Sequence, residues 1–286
     1  MAGVPCLIGA CFVAATSVHV GGLRALRSPP RPLHLSAYRG GEALSSGVRM
    51  GGPLASPEPP AIEIEFYTNE LCPYAQRVWI ALEELGVPYN TIDIDLRDKP
   101  RWYMSEISPA GKVPAVRDAT SREVLVESRV INEYLTTRFD PDGERMLATG
   151  STLERWNEHV DKVLSPAFFT RLMDKGDSAE GSAEKQGALS DALAYYETNL
   201  VGPFLCGEQF TLADVNAIPF FQRLACTLPH FCKVDALSPY PRVRAWLEMT
   251  MARPSVATTL PPVDALLKVY EIFVNRDYKF GGLNRN

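Results

Sequence analysis

Histidine is scarce in this chain, and its cysteines are not paired. The four histidines, His19, His34, His159 and His230, are scattered over 286 residues, and two fall near the N-terminus. No His/Cys cluster has ligand spacing, so the sequence offers no metal site. The six cysteines, Cys6, Cys11, Cys72, Cys206, Cys226 and Cys232, contain no CxxC pair. That excludes a two-thiol redox motif and argues against a disulfide framework. No apolar run reaches the ~18–20 residues of a membrane-spanning helix. Positive charge is short as well. The chain has 29 Lys and Arg against 34 Asp and Glu, a net charge of −5. Phosphate binding needs an excess of cations on one face, so nucleic acid is not the expected partner.

What is present fits a globular protein: 46% hydrophobic and 22% charged residues. The length allows one large domain or two small ones, with a substantial core. Residues 1–56 differ from the rest. An uncharged apolar stretch, "MAGVPCLIGACFVAATSV", leads into "LRALRSPPRPLHLSAYRGGEALSSGVRM", rich in Arg, Ser, Pro and Gly. This segment holds five arginines and one acid, Glu42, so its balance is +4 and the remainder carries −9. An apolar region followed by an Arg/Ser-rich, acid-poor one combines a signal peptide with a transit peptide. The arrangement resembles the bipartite plastid address of algae whose plastid lies inside extra membranes; secretion is the alternative. Pro57, Pro59 and Pro60 close the segment.

From Ala61 to about residue 140, strand and helix patterns alternate. "IEIEFYT" has period-two character, and residues 73–85 place Val78, Leu82 and Leu85 at helical spacing, ended by Gly86. "YNTIDIDL" alternates again, with Asp93 and Asp95 on what reads as a solvated strand face. "VPAVRDA" and "EVLVES" are two short strands around a turn at Thr120–Ser121, and "SRVINEYLTTRF" is a helix. The order is β-α-β, an irregular stretch, then β-β-α, which is a thioredoxin-like layout. From 150 to 270 the strand signals vanish. Helices are expected over 151–173, 183–200, 212–225 and 243–252, with a polar loop at 175–182 and a C-terminal tail at 271–286. The fold class is therefore an α/β thioredoxin-like N-terminal domain (βαβ-ββα) plus an all-α C-terminal domain.

Cys72 stands where a strand gives way to a helix, and Pro73 follows it. A free thiol is mostly protonated at neutral pH, and only the thiolate is nucleophilic. The unpaired amides and positive dipole end of a helix start favour the anion. Proline suits the first helical position because its missing N–H costs nothing there. Cys72 is therefore expected at the N-cap, with the amides of Tyr74 and Ala75 turned to its sulfur, Arg77 nearby and its pKa depressed. A two-cysteine motif would carry its second thiol at position 75, which is Ala75. The chemistry left is monothiol: a mixed disulfide on Cys72 that an external thiol resolves.

With these motifs, "CPYAQRVWIALEELGVPY" and "SPAGKVPAVRD…EVLVESRVINEYL" resemble the glutathione transferase superfamily in its cysteine-type branch. The nearest groups are the omega and lambda classes and plant-type dehydroascorbate reductases. "FTLADVNAIPFF" matches a motif of that family's helical domain. In "GKVPAV", Val113–Pro114 is expected to be cis, presenting the Val113 backbone beside the cysteine to a peptide-like ligand that pairs as an added strand. The resemblance makes that ligand glutathione. It implies that the cysteinyl unit bonds Val113 and the glycyl carboxylate meets Lys112. Ser128 opens a helix and can cradle an anion. The resemblance sets the γ-glutamyl carboxylate there, with Glu127 facing the ammonium group. Thr211 and Asp214 form a T-x-x-D capping box with a structural role. Cys206, Cys226 and Cys232 read as buried or incidental, and Trp156, Tyr195, Tyr196, Phe220 and Phe221 as helical core.

The resemblance implies a glutathione-dependent thiol transferase or reductase, a monomer or homodimer, acting on a small electrophilic or glutathionylated substrate. Two other readings compete. One is a low-turnover carrier for aromatic metabolites. The other is a membrane-inserting relative like the intracellular chloride channel proteins, which the charged "RDKPR" and the acidic balance do not favour.

Overall fold

The computed structural model describes residues 61–143, 145–146 and 150–275. The expected targeting segment lies outside these, as does the end of the expected C-terminal tail. The apolar run after Ala61 forms β1 (Ile64–Thr68). Ile64, Phe66, Tyr67 and Thr68 are all buried, because β1 is an inner strand covered on both faces. It pairs in parallel with β2 (Tyr89–Asp93), with Ile64 opposite Tyr89. On its other side it pairs antiparallel with β3 (Ala115–Asp118), with Ile64 opposite Asp118. β4 (Val124–Val126) joins β3, and the sheet order is β2-β1-β3-β4.

Parallel neighbours need a crossover. Here it is α1 (Pro73–Leu85), which ends at Gly86 in the left-handed conformation, φ 66°. The Gly86 amide bonds back to the Glu83 and Leu82 carbonyls, as the sequence suggested. The stretch expected to be irregular contains a short helix, α2 (Arg101–Glu106), which buries Tyr103. Asp118 turns the β3–β4 hairpin by accepting the amides of Thr120 (2.8 Å) and Ser121 (2.7 Å). α3 (Ser128–Phe139) then returns across the sheet.

The rest of the described chain is helical. α4 (Ser151–His159) runs through a single π turn at Val160–Leu164 into α5 (Ser165–Leu172). α6 (Ala179–Asn199) starts earlier than its apolar periodicity suggests. Its first turn is polar and solvated, and Ser178 caps it by accepting the Gly181 amide at 3.0 Å. α7 (Leu212–Thr227) is buried on nearly every face. Its capping box forms as expected. Asp214 accepts the Thr211 amide (2.9 Å), the Leu205 amide (2.9 Å) and the Trp246 indole (2.9 Å). A π turn at Leu228–Cys232 and α8 (Pro241–Met251) follow.

Besides α2, two helices go beyond the sequence reading. α9 (Pro254–Ala257) begins on a proline, which occupies the first helical turn. α10 (Val263–Asn275) enters the stretch expected to be a tail. The aromatic residues assigned to the helical core are placed accordingly: Trp156, Tyr196, Phe220 and Phe221 are buried, and Tyr195 is partly buried. Among the described residues, no helix is long and apolar enough to cross a membrane.

α1 is where the strand half meets the helical half. It packs on α3, α7 and α9. Arg77 in its middle is buried, donating Nε to the Asn216 carbonyl of α7 (2.9 Å) and pairing with Asp161 (2.7 Å).

Candidate active site

Cys72 is the residue immediately before α1, with extended backbone (φ −80°, ψ 121°) and Pro73 at the first helical position. The loop from Asn69 sets it there. The Asn69 side chain accepts the Leu71 amide (3.2 Å), and the Cys72 amide bonds the Asn69 carbonyl (3.0 Å). The partly buried thiol donates to the carbonyl of Val113 at 3.7 Å. The Val113–Pro114 peptide bond is cis, as expected.

The expectation of a depressed pKa at Cys72 meets an opposing effect. Burial pushes the thiol above its ordinary value, and it outweighs the Ala75 amide, Arg223, the Tyr74 amide and Arg77, all of which pull it down. The helix start acts in the anticipated direction but is the weaker effect in the ligand-free protein.

The loop before Val113 is fixed by two hydroxyls. Tyr103 donates to the Lys112 carbonyl (2.6 Å), as does Ser108 (3.0 Å), and Ser108 also accepts the Lys112 amide (3.2 Å). These bonds hold the backbone and leave the Lys112 side chain exposed. Gly111 has φ +61°, and a Cβ there would lie 2.9 Å from the Lys99 stem. The positive φ favours glycine here, and a side chain would push the Lys99 stem aside. Lys99 therefore lies over the Gly111–Lys112 turn, placing a second ammonium group on this loop.

Ser128 is 5% exposed and opens α3. Its hydroxyl accepts Arg77 Nη1 at 3.5 Å, so the helix that begins at Cys72 also touches the Ser128 site. Glu127 is exposed, with φ 71° and ψ 116°, a backbone conformation that L side chains rarely adopt. Strain of this kind, of order 1–3 kcal/mol, persists where the surroundings over-determine it, and it clusters at functional sites.

Of the six residues singled out in the sequence, Cys72 and Val113 are in direct contact. Pro114 follows Val113 through the cis bond, and Ser128 is tied to α1 through Arg77. Lys112 and Glu127 flank these groups without contacting one another. Sequence reasoning missed Lys99, Tyr103, Ser108 and Arg223. Arg223 alone gave a signal, as a cation inside the apolar run "IPFFQRLAC". Arg77 also has a role the sequence did not suggest, since its salt bridge crosses to Asp161.

Among the described residues, Cys72, Cys206 and Cys232 are in no disulfide. Among the described residues, no group of three or more His, Cys, Asp or Glu side chains could hold a metal ion.

Comparison with known proteins agrees with this geometry. Residues 71–138 match the family model "Glutathione S-transferase, N-terminal domain", and residues 179–248 match "Glutathione S-transferase, C-terminal domain". The chain is 31% identical over 207 residues to glutathione S-transferase DHAR2 of Arabidopsis thaliana, covering 71% of this chain and 91% of that protein. It is 27% identical over 227 residues to glutathione S-transferase L3 of the same plant, covering 76% and 92%. The crystal structure of glutathione transferase Omega 3C from Trametes versicolor superposes with a TM-score of 0.64 at 25% identity, covering 76% of this chain and 93% of that one. A small mixed thioredoxin-like sheet joined to a helical domain, with these similarities across both, shows that the chain belongs to the glutathione S-transferase family.

Proposed function

We propose that this protein is a glutathione-dependent thiol transferase and reductase in which Cys72 is the single reacting cysteine. The observation that carries this reading is the placement of the Cys72 thiol at the start of α1, 3.7 Å from the Val113 carbonyl. The sulfur lies beside a backbone segment that a peptide can pair with. With alanine at position 75, the chain lacks the second thiol of a CxxC motif.

Glutathione enters as substrate, and the residues present suit its chemistry. Ser128, with the first amides of α3, suits the γ-glutamyl carboxylate. Glu127 suits the adjacent ammonium, and the Val113 backbone suits the cysteinyl amide. Lys112, joined by Lys99, suits the glycyl carboxylate. The Cys72 thiolate attacks the glutathione sulfur of a glutathionylated substrate. An S–S bond forms to Cys72, and the bond from that sulfur to the substrate breaks, its electron pair leaving with the substrate, which takes up a proton. A second glutathione thiolate then attacks the mixed disulfide, releasing glutathione disulfide and regenerating the Cys72 thiolate. The substrate gains two electrons and two glutathione molecules lose them. Dehydroascorbate and glutathionylated quinones or flavonoids are candidate substrates.

We further propose that residues 1–56 form a plastid address. Their composition supports this, as do two Arabidopsis relatives, glutathione S-transferases L2 and DHAR3, whose names carry "chloroplastic".

The test is a panel of dehydroascorbate, a small mixed disulfide and a glutathionyl ketone, assayed with glutathione on the wild-type and Cys72→Ser proteins. Turnover by the wild type and none by Cys72→Ser is expected. Turnover retained in Cys72→Ser would place the chemistry elsewhere. Binding of aromatic compounds with no turnover by the wild type would favour a carrier.

A further inference from the structure

Arg223 of α7 is 0% exposed, and no carboxylate pairs with it among the described residues. Burying an unpaired guanidinium is costly, so buried arginines are normally matched to an acid. Arg223 is instead held by neutral acceptors. Its Nη1 donates to Gln76 Oε1 (2.6 Å), the Pro219 carbonyl (2.9 Å) and Gln222 Oε1 (3.2 Å), and its Nη2 donates to the Leu71 carbonyl (3.0 Å). Its Nε has no partner. Leu71 and Gln76 bracket Cys72, so the guanidinium grips both sides of the reacting thiol from the far half of the molecule.

The charged and titratable groups around Cys72 are few. α1 itself supplies Tyr74 and Arg77, α2 supplies Tyr103, α7 supplies Arg223 with Cys226 one turn on, and α10 supplies Tyr270. None is an acid. Burial pushes all three tyrosines up, so they stay neutral. The Arg77 cation is matched by Asp161 at 2.7 Å, which cancels much of its field. Arg223 has no such partner. An arginine stays protonated even when burial pulls its pKa down, as it does here.

We propose that Arg223 is the counter-cation of the Cys72 thiolate: the buried guanidinium lacks an acid because the reacting sulfur, once ionised, is its anionic partner. This deepens the functional reading and rests on Cys72 being the reacting thiol. Arg223 acts through Cys72 and is a positioning residue. It makes the nucleophile a joint product of both halves, with the sulfur from the strand half and its charge partner from the helical half.

The experiment titrates Cys72 without glutathione or substrate, so it stands even if the assignment of substrate fails. The thiolate is followed by its ultraviolet absorbance against a Cys72→Ser blank, and by mass spectrometry of the Cys72 peptide during iodoacetamide alkylation. An opposite charge within reach shifts a pKa by about one unit or more. Arg223→Met should therefore raise the Cys72 midpoint by about one pH unit, equivalent to roughly tenfold slower alkylation at fixed pH. Arg223→Lys, which keeps the charge, should restore most of the shift, whereas a purely structural clamp would not move the midpoint. A folded Arg223→Met protein with an unmoved midpoint overturns the proposal. If Arg223→Met does not fold, Cys72→Asp is compared with Cys72→Asn by thermal melting with Arg223 intact. An aspartate that melts no lower than the asparagine supports a cation facing position 72, and one that melts lower overturns it.

Discussion

The thiol of Cys72 and the carbonyl of Val113 meet at 3.7 Å across 41 residues of sequence. The contact joins the start of α1 to the loop before β3 and encloses the sulfur enough for burial to govern its titration. In the ligand-free protein the midpoint of Cys72 alkylation should therefore lie above the ~8.5 of a free thiol. The sign follows from the charge: burial penalises the thiolate, so a higher pH is needed to form it. Rates measured on the Cys72 peptide against pH give the midpoint. An inflection at or below the free value would show that the helix start and the arginines prevail.

Ser128→Ala should weaken glutathione binding by roughly ten- to a hundredfold, since a hydrogen bond to a charged group contributes about 1.5–3 kcal/mol. Alkylation of Cys72 by a small reagent should change little, because that reaction needs no γ-glutamyl site. Calorimetry on the two proteins decides the matter, and unchanged affinity places the γ-glutamyl end elsewhere.

Asp214→Asn should cost about 2–4 kcal/mol. The Leu205, Thr211 and Trp246 N–H groups all donate to this carboxylate, and an amide turned toward them brings donors of its own. For a chain of this size the melting temperature should fall by roughly 5–15 °C. A melt within a degree or two of wild type would mean that the cap contributes little.

His159 makes stability depend on acidity. Its ring stacks on Tyr195 at 3.9 Å, its Nδ1 has no partner, and burial pushes its pKa down to about 4. The unfolded chain protonates this group near 6.5, so it binds more protons than the folded state between the two values. The His159 contribution is therefore intact above pH ~6.5 and is lost as pH falls towards 4. The ring is only partly buried, so about 1–2 kcal/mol is expected rather than the full linkage value. His159→Phe keeps the stack and should flatten the difference in melting temperature between pH 7 and pH 5. Parallel curves for the two proteins would refute this.

A chain starting near Pro57 should fold and turn over like the full one, because residues 1–56 have no periodic apolar face to bury. A fluorescent reporter fused behind residues 1–56 should reach the plastid of an alga with extra plastid membranes. Cytosolic fluorescence would remove the plastid address, and a lower melting temperature after truncation would give the segment a structural role.

Much of the candidate site's geometry was legible because its parts are local. Cys72–Pro73 is a helix start written in two residues, and Val113–Pro114 is a cis bond written in two. Arg223 was not legible in the same way. It meets Leu71 from 152 residues along the chain, and no local pattern says that a cation will be buried without an acid. The pKa of Cys72 was misjudged for a related reason: a helix start can be read from sequence, but the desolvation of its thiol depends on how both halves close around it. In the fold, α2 and α9 escaped notice because charges and prolines masked their periodicity, and α10 because its apolar spacing, with Leu266 and Tyr270 four apart and buried, was passed over at the chain's end, while α7 announced itself as a continuous apolar run.

Glu84, near the end of α1, accepts Arg253 Nε (2.9 Å) and the Ser255 hydroxyl (2.5 Å), just as Leu71 and Gln76 at the other end are gripped by Arg223. The helix is clasped at both tips by residues from the second half of the chain, and Arg77 pins its middle. Melting either half alone would strip partners from buried charges, so the two halves are expected to unfold together in a single transition. Cys72 thus stands at one end of an element that the second half of the chain holds at both tips and in its middle.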